Sequence, residues 1–156
     1  MINKNITIFN TLTGKKDLLK PFKGNPPSRK ASAGRGKINL FVCGPTVYDF
    51  MHIGNARTIV VFDCFAKYLK SQGFNVFYLQ NITDIDDKII LRAREKDVVA
   101  KDLAEAFLKE YLKDMDALGV NSVNKYAKAT SYIKEIISQI TRLAENEYVY
   151  RLDDGL

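Results

Sequence analysis

Apolar and polar residues alternate through "ITIFNTL" at 6–12, and the run passes into "TGKK". A period of two that meets a glycine turn predicts a short edge strand ending at Gly14. The pattern changes at residue 38. "INLFV" at 38–42 is nearly all apolar, as in a strand covered on both faces. From Asn55 the apolar positions fall at Ile59, Phe62, Ala66 and Leu69, a helical spacing that runs out at Gly73, a natural C-terminal cap. "NVFYLQ" at 75–80 then reads as a second strand. Strand, turn, helix, strand in this order is a βαβ unit, with parallel strands and a right-handed crossover. The expected fold class is therefore α/β, a doubly wound parallel sheet.

The rest of the chain reads as mostly helical. "DKIILRAREK" follows the second strand, and 98–119 carries Leu103, Phe107, Tyr111, Met115 and Leu118 at spacings that predict one buried face. Thr130 or Ser131 is a candidate cap for a last helix through Ile133, Ile136, Ile137, Ile140 and Leu143. "EYVYRLDDGL" at 147–156 predicts a strand and an Asp-Gly hairpin turn. The return strand is missing, so the sequence is expected to be a piece of a longer chain. Between the first two strands, "PFKGNPPSRKASAGRGK" at 21–37 holds three prolines, three glycines, five basic residues and no acid. It predicts a flexible basic connection, either a plain linker or a phosphate-contacting arm. The segments are thus 1–20, a strand and turn; 21–37, the basic loop; 38–97, half of a nucleotide-binding fold; and 98–156, a helical region running into a truncated hairpin.

Composition narrows the picture only a little. At 156 residues, 46% hydrophobic and 27% charged, the chain has the make-up of one globular domain. Its net charge of +6 favours polyanionic partners without requiring them. Two cysteines are too few for a disulfide framework and no secretory leader is apparent, which suggests a reducing, cytoplasmic setting. No apolar run approaches the roughly 20 residues needed to cross a bilayer.

The densest chemistry lies in "CGPTVYDFMHIGNART" at 43–58, which contains the only histidine, His52. In an open parallel sheet ligands bind outside the carboxyl ends of the strands, where this turn is expected to lie. Glycines there admit close backbone approach, and the first helical turn offers N–H groups to an anion. His52 and Asn55 are spaced so that both side chains can donate to one phosphate group, with charge stabilisation as the catalytic role. The alternative is a satisfied turn histidine beside a helix-capping asparagine. Cys43 reads either as a buried small hydrophobe or as a thiol ligand, and Cys64, mid-helix, adds nothing to a metal site.

Taken with "VVFD" at 60–63 and "NITDIDDKII" at 81–90, this run resembles the amino-terminal half of the catalytic domain of the cysteinyl-tRNA synthetase family, which are class I aminoacyl-tRNA synthetases. The likeness covers Ile38 to Leu156 and implies a Rossmann-like fold. It implies that Pro45, Thr46, Val47, Tyr48, Asp49, Phe50, Met51, His52, Ile53, Gly54 and Asn55 form the HIGH-like region that holds ATP, used with Mg2+. It implies further that Cys43 is one ligand of a Zn2+ that binds the substrate thiolate, and that Gly44 and Thr83 line the cysteine site. Zinc's preference for sulfur would then reject serine without editing. Asp84, Asp86 and Asp87 are expected to order their loop or to pair with Lys88, the alternatives being a polar loop with a helix-capping Asp and a direct substrate role. Asn55 stands where the signature has a second histidine and keeps a donor amide without a cationic form.

The remaining zinc ligands, the KMSKS loop and the anticodon-binding domain of the family have no counterpart in this sequence, so the isolated chain is expected to be inactive. The activity implied for the parent protein is cysteine–tRNA ligation, with cysteine, ATP and tRNA(Cys) as partners and a monomeric state. Two other readings stay open: a mycothiol-pathway ligase that joins cysteine to an amino sugar, and a non-catalytic module that binds RNA or a partner through its basic surface.

Overall fold

The structure is a computed structural model that describes residues 5–21, 36–150 and 152. Its elements are β1 (Thr7–Asn10), β2 (Lys15–Leu18), β3 (Lys37–Val42), α1 (Ile53–Ser71), β4 (Asn75–Ile82), α2 (Asp87–Glu95), α3 (Ala100–Ala117), β5 (Lys125–Lys128) and α4 (Ile133–Glu145), with a 3-10 turn at Ala129–Tyr132 before α4. Most of the basic loop at 21–37 lies outside the described residues, as does the Asp-Gly turn near the end. No helix among the described residues is long and apolar enough to cross a membrane.

The predicted first strand exists, and its turn returns the chain at once into β2. Asn10 makes this possible: its Oδ1 accepts from the Leu12 N–H at 3.0 Å. Gly14, at φ +67°, closes the turn by donating to the Asn10 carbonyl. β2, with Lys15, Lys16 and Asp17, lacks the apolar alternation that announces a strand, and only its antiparallel pairing with β1 makes it one.

The βαβ unit is as expected. β3 and β4 pair in parallel from Lys37 opposite Asn75 to Val42 opposite Gln80. β5 joins the far side of β4, giving the order β3-β4-β5. The α/β fold with a parallel sheet therefore stands. β3, however, is covered on one face only: Ile38 and Val42 are buried, while Phe41 is 64% exposed. The buried face packs with Val76, Tyr78, Ala66 and Leu69. A second cluster, built from Val47, Ile59, Ile82, Ile89, Tyr111 and Met115 among others, joins the first turns of α1 to α2 and α3.

α1 ends as the sequence foretold. Gly73 adopts φ +85°, and the Phe74 N–H reaches back to the Leu69 carbonyl. Within α1, Asp63 is 3% exposed and accepts from the backbone N–H groups of Asn121 and Ser122 at 3.1 and 2.8 Å, while Lys67 pairs with it at 2.6 Å. Burial pushes this carboxyl up, yet the bonds from Lys67 and Ser122 outweigh it and hold the group below its ordinary value. The carboxylate thereby fixes the α3–β5 connection to α1.

The C-terminal expectations need correction. α3 buries Leu103, Tyr111 and Met115 as predicted, but Ala104 and Leu108 complete its face, and Leu118 is exposed. Neither Thr130 nor Ser131 caps α4, which starts at Ile133 without a side-chain cap. Thr130 is committed elsewhere, its N–H and Oγ1 donating to the Asp84 carboxylate at 3.0 and 2.5 Å. The isoleucines of α4 face outward among the described residues. No strand forms at 147–150. The Tyr148 N–H bonds the Leu143 carbonyl instead, closing the helix end over Glu147 at φ +60°.

Candidate functional site

The run 43–55 joins the carboxyl end of β3 to the amino end of α1, and it is held by backbone bonds at one end and side chains at the other. Val47 N–H donates to the Thr83 carbonyl at 3.1 Å and Thr83 N–H to the Pro45 carbonyl at 3.0 Å, so Thr46 and Thr83 form a parallel bridge beyond the ends of β3 and β4. Gly44 donates to Asn81 Oδ1 at 2.9 Å. A Cβ built on Gly44 would lie 1.8 Å from the Asn81 carbonyl oxygen, so only glycine brings these two segments so close.

Farther along, the loop leans on α2 and α3. Asp49 is ion-paired with Arg92, and its carboxyl is held below the usual range by the Phe50 N–H and by that guanidinium. Phe50 meets Phe107 edge to face at 5.2 Å, and Lys88 places its ammonium 5.8 Å from the Tyr48 ring centre. These contacts leave a cleft of about 270 Å³, walled by the backbone run from Gly44 to His52 and closed by Asn55, Lys88 and Tyr111.

His52 is the cap of α1. Its Nδ1 accepts from the N–H groups of Gly54 and Asn55 at 3.1 and 3.4 Å, which requires an unprotonated Nδ1 and leaves Nε2 to carry the ring proton. A Cβ on Gly54 would come within 2.9 Å of this imidazole, so the glycine leaves room for the cap. Two of the first-turn N–H groups expected to face an anion are therefore already taken. Nor is Asn55 the cap. What the helix start still offers is His52 Nε2–H, the Asn55 carboxamide and the positive end of the helix dipole.

Of the residues singled out in the sequence, Gly44 to His52 and Asn55 line one cleft. Ile53 and Gly54 begin the helix outside the lining, with Ile53 86% exposed. Thr83 braces the loop from behind, and Cys43 is exposed at the end of β3 with Sγ 3.7 Å from the Gly44 carbonyl. The neighbouring acids order the β4–α2 loop rather than pairing with Lys88: Asp84 binds Thr130, and Asp86 caps α2 by accepting from the Lys88 N–H. Lys88 is a wall residue that sequence reasoning assigned only as a partner for these acids. A larger, mostly apolar cavity of about 430 Å³ lies between α2 and α3 and takes none of the residues predicted to bind nucleotide.

The metal fares differently. Zinc needs about four N or S donors, and no group of three or more His, Cys, Asp or Glu side chains placed to hold a metal occurs among the described residues. Cys43 offers one sulfur. The described residues alone do not fit a zinc site.

Comparison with known proteins shows the family. Residues 30–156 match the family profile described as the tRNA synthetases class I (C) catalytic domain. The chain is 60% identical over 121 residues to the Cysteine--tRNA ligase of Thermoplasma acidophilum, covering 78% of this chain and 27% of that protein. It is 44% identical over 151 residues to the Cysteine--tRNA ligase of Thermococcus kodakarensis, covering 97% of this chain and 29% of that one. The chain thus spans under a third of the length of these curated relatives. Among solved structures, Mycobacterium tuberculosis methionyl-tRNA synthetase in complex with methionyl-adenylate aligns over 59% of this chain and 18% of that one, with a TM-score of 0.53 and 19% identity, a likeness of fold alone.

Proposed function

Because the chain belongs to the class I (C) tRNA synthetase catalytic-domain family, we propose that it supplies the amino-terminal part of the catalytic site of a cysteine–tRNA ligase. In that reaction a carboxylate oxygen of cysteine attacks the α-phosphorus of ATP and the bond to pyrophosphate breaks, giving cysteinyl-adenylate. The cysteinyl group then passes to the terminal adenosine of tRNA(Cys). One observation carries the reading: Gly44 to His52 and Asn55, within the run that bears the family's signature, fold as the wall of a polar cleft at the carboxyl end of β3 and the amino end of α1.

The chain's share of the chemistry is positioning and charge stabilisation. His52 Nε2–H and the Asn55 carboxamide donate to phosphate oxygens, and the α1 dipole favours the negative charge that builds on them as the leaving group departs. The Gly44 backbone, pressed against β4, sets how deeply the substrates enter. Cys43 stands at the strand end where the cysteine substrate is expected.

A chimera provides the test. Replacing the aligned 151 residues of the Thermococcus kodakarensis enzyme by this chain should give a protein that exchanges pyrophosphate into ATP when cysteine is present and much less when serine is. A folded chimera without cysteine-dependent exchange would refute the reading. Exchange that charges an amino sugar but never tRNA would favour the mycothiol-type ligase, and salt-sensitive tRNA binding without adenylate would favour the non-catalytic module.

A further inference from the structure

Lys88 occupies the first turn of α2, where a cation opposes the positive end of the helix dipole and weakens the helix. Helix stability therefore gives no reason for it. Ion pairing gives none either: Asp86 spends its side chain on the Lys88 backbone N–H, and the ammonium joins no salt bridge among the described residues. It turns instead to the Tyr48 ring, at the wall of the cleft. Among the described residues, no other lysine or arginine lines this cleft. Asp49, the one carboxylate among the described residues of its wall, is already neutralised by Arg92.

The other donors at the cleft are uncharged. His52 caps α1 through an unprotonated Nδ1, and Asn55 is an amide. A polyphosphate entering the cleft would bring several negative charges to a site where, among the described residues, Lys88 is the one uncommitted cation. We propose that Lys88 is a substrate-contacting residue whose ammonium leaves the Tyr48 face to bind the phosphate chain of the nucleotide. The exchange is favourable because a charge-assisted bond to phosphate is stronger than an exposed cation–π contact. Tyr48 then acts as the resting place of the side chain, holding it at the cleft while the site is empty. This inference rests on the nucleotide-binding reading of the same cleft.

Calorimetric titration of this chain with ATP, AMP and inorganic tripolyphosphate separates the two ideas, using K88M and K88R beside the wild type. Lys88 is exposed, so neither substitution should change the melting temperature appreciably. The wild type should bind ATP and tripolyphosphate more tightly than AMP. K88M should lose about tenfold or more in affinity for both while AMP changes little, and K88R should recover most of the loss. Wild-type ATP binding that K88M leaves untouched would overturn the role of Lys88 alone. Failure of the wild type to bind ATP would remove the nucleotide site and the inference with it.

Discussion

Asp49, midway along the loop that follows β3 and in the cleft wall, is ion-paired with Arg92, on the second turn of α2. Arg92 also holds Glu95 at 3.1 Å on its own helix, so the guanidinium is anchored on one side and gripping the loop on the other. Both partners are about a third exposed, which keeps their contribution to global stability small. Their effect is on where the loop sits. D49N and R92Q should each weaken ATP binding by about three- to tenfold, with the double variant no worse than the poorer single one. A double-mutant cycle on ATP affinity measures this. Independent, additive losses would mean that the pair does not act as one unit.

Gly44→Ala places a methyl group on the Asn81 carbonyl oxygen, and backbone has no rotamer by which to move away. Denaturant unfolding should show a loss of about 3 kcal/mol. Gly14→Ala, where a Cβ meets nothing within 4 Å but φ is +67°, should lose only about 1 kcal/mol. Equal losses would mean that the close crossing of the two strand ends is relaxed in solution.

His52 does two jobs that one substitution can separate. Asparagine is a good N-cap but has no group that reaches where Nε2 lies. H52N should therefore keep the melting temperature near that of the wild type while binding ATP more weakly, whereas H52A should lose about 1 kcal/mol of stability as well. Equal ATP affinity in H52N and the wild type would assign His52 to capping alone.

Asp63 gives the fold an acid-sensitive joint. Its carboxyl has a lower pKa folded than unfolded, so its stabilisation is present above the ordinary carboxylate range and disappears as pH falls through the folded value. D63N should be less stable than the wild type at neutral pH, and the gap should narrow below about pH 4. Urea unfolding at neutral and acid pH would show this. A gap independent of pH would mean that the charge of Asp63 plays no part.

The βαβ unit was legible because its periods are local: the apolar run of β3, the three-and-four spacing of α1 and the glycine at its end. β5 was not. "KYAK" at 125–128 carries two lysines and no apolar alternation, and it is a strand only because β4 presents a free edge to it. The α4 cap failed for the reverse reason, since a good capping residue, Thr130, was drawn off by Asp84 from 46 positions away. In the site, the motif residues from Gly44 to His52 line one cleft. The motif did not reveal that the His52 ring folds back on its own helix, a choice between two local caps, nor that Lys88 completes the wall, which depends on how α2 packs against the loop.

His52 is the only histidine in the chain, so its imidazole gives a single, assignable set of NMR signals, and these report directly on the claim that the cleft binds nucleotide phosphates. Titration with ATP should move the ring signals saturably, with Nδ1 still the accepting nitrogen and Nε2 protonated, and AMP should move them less. Ring signals that stay fixed through millimolar ATP, or that move equally with AMP, would contradict the assignment of this cleft to the triphosphate.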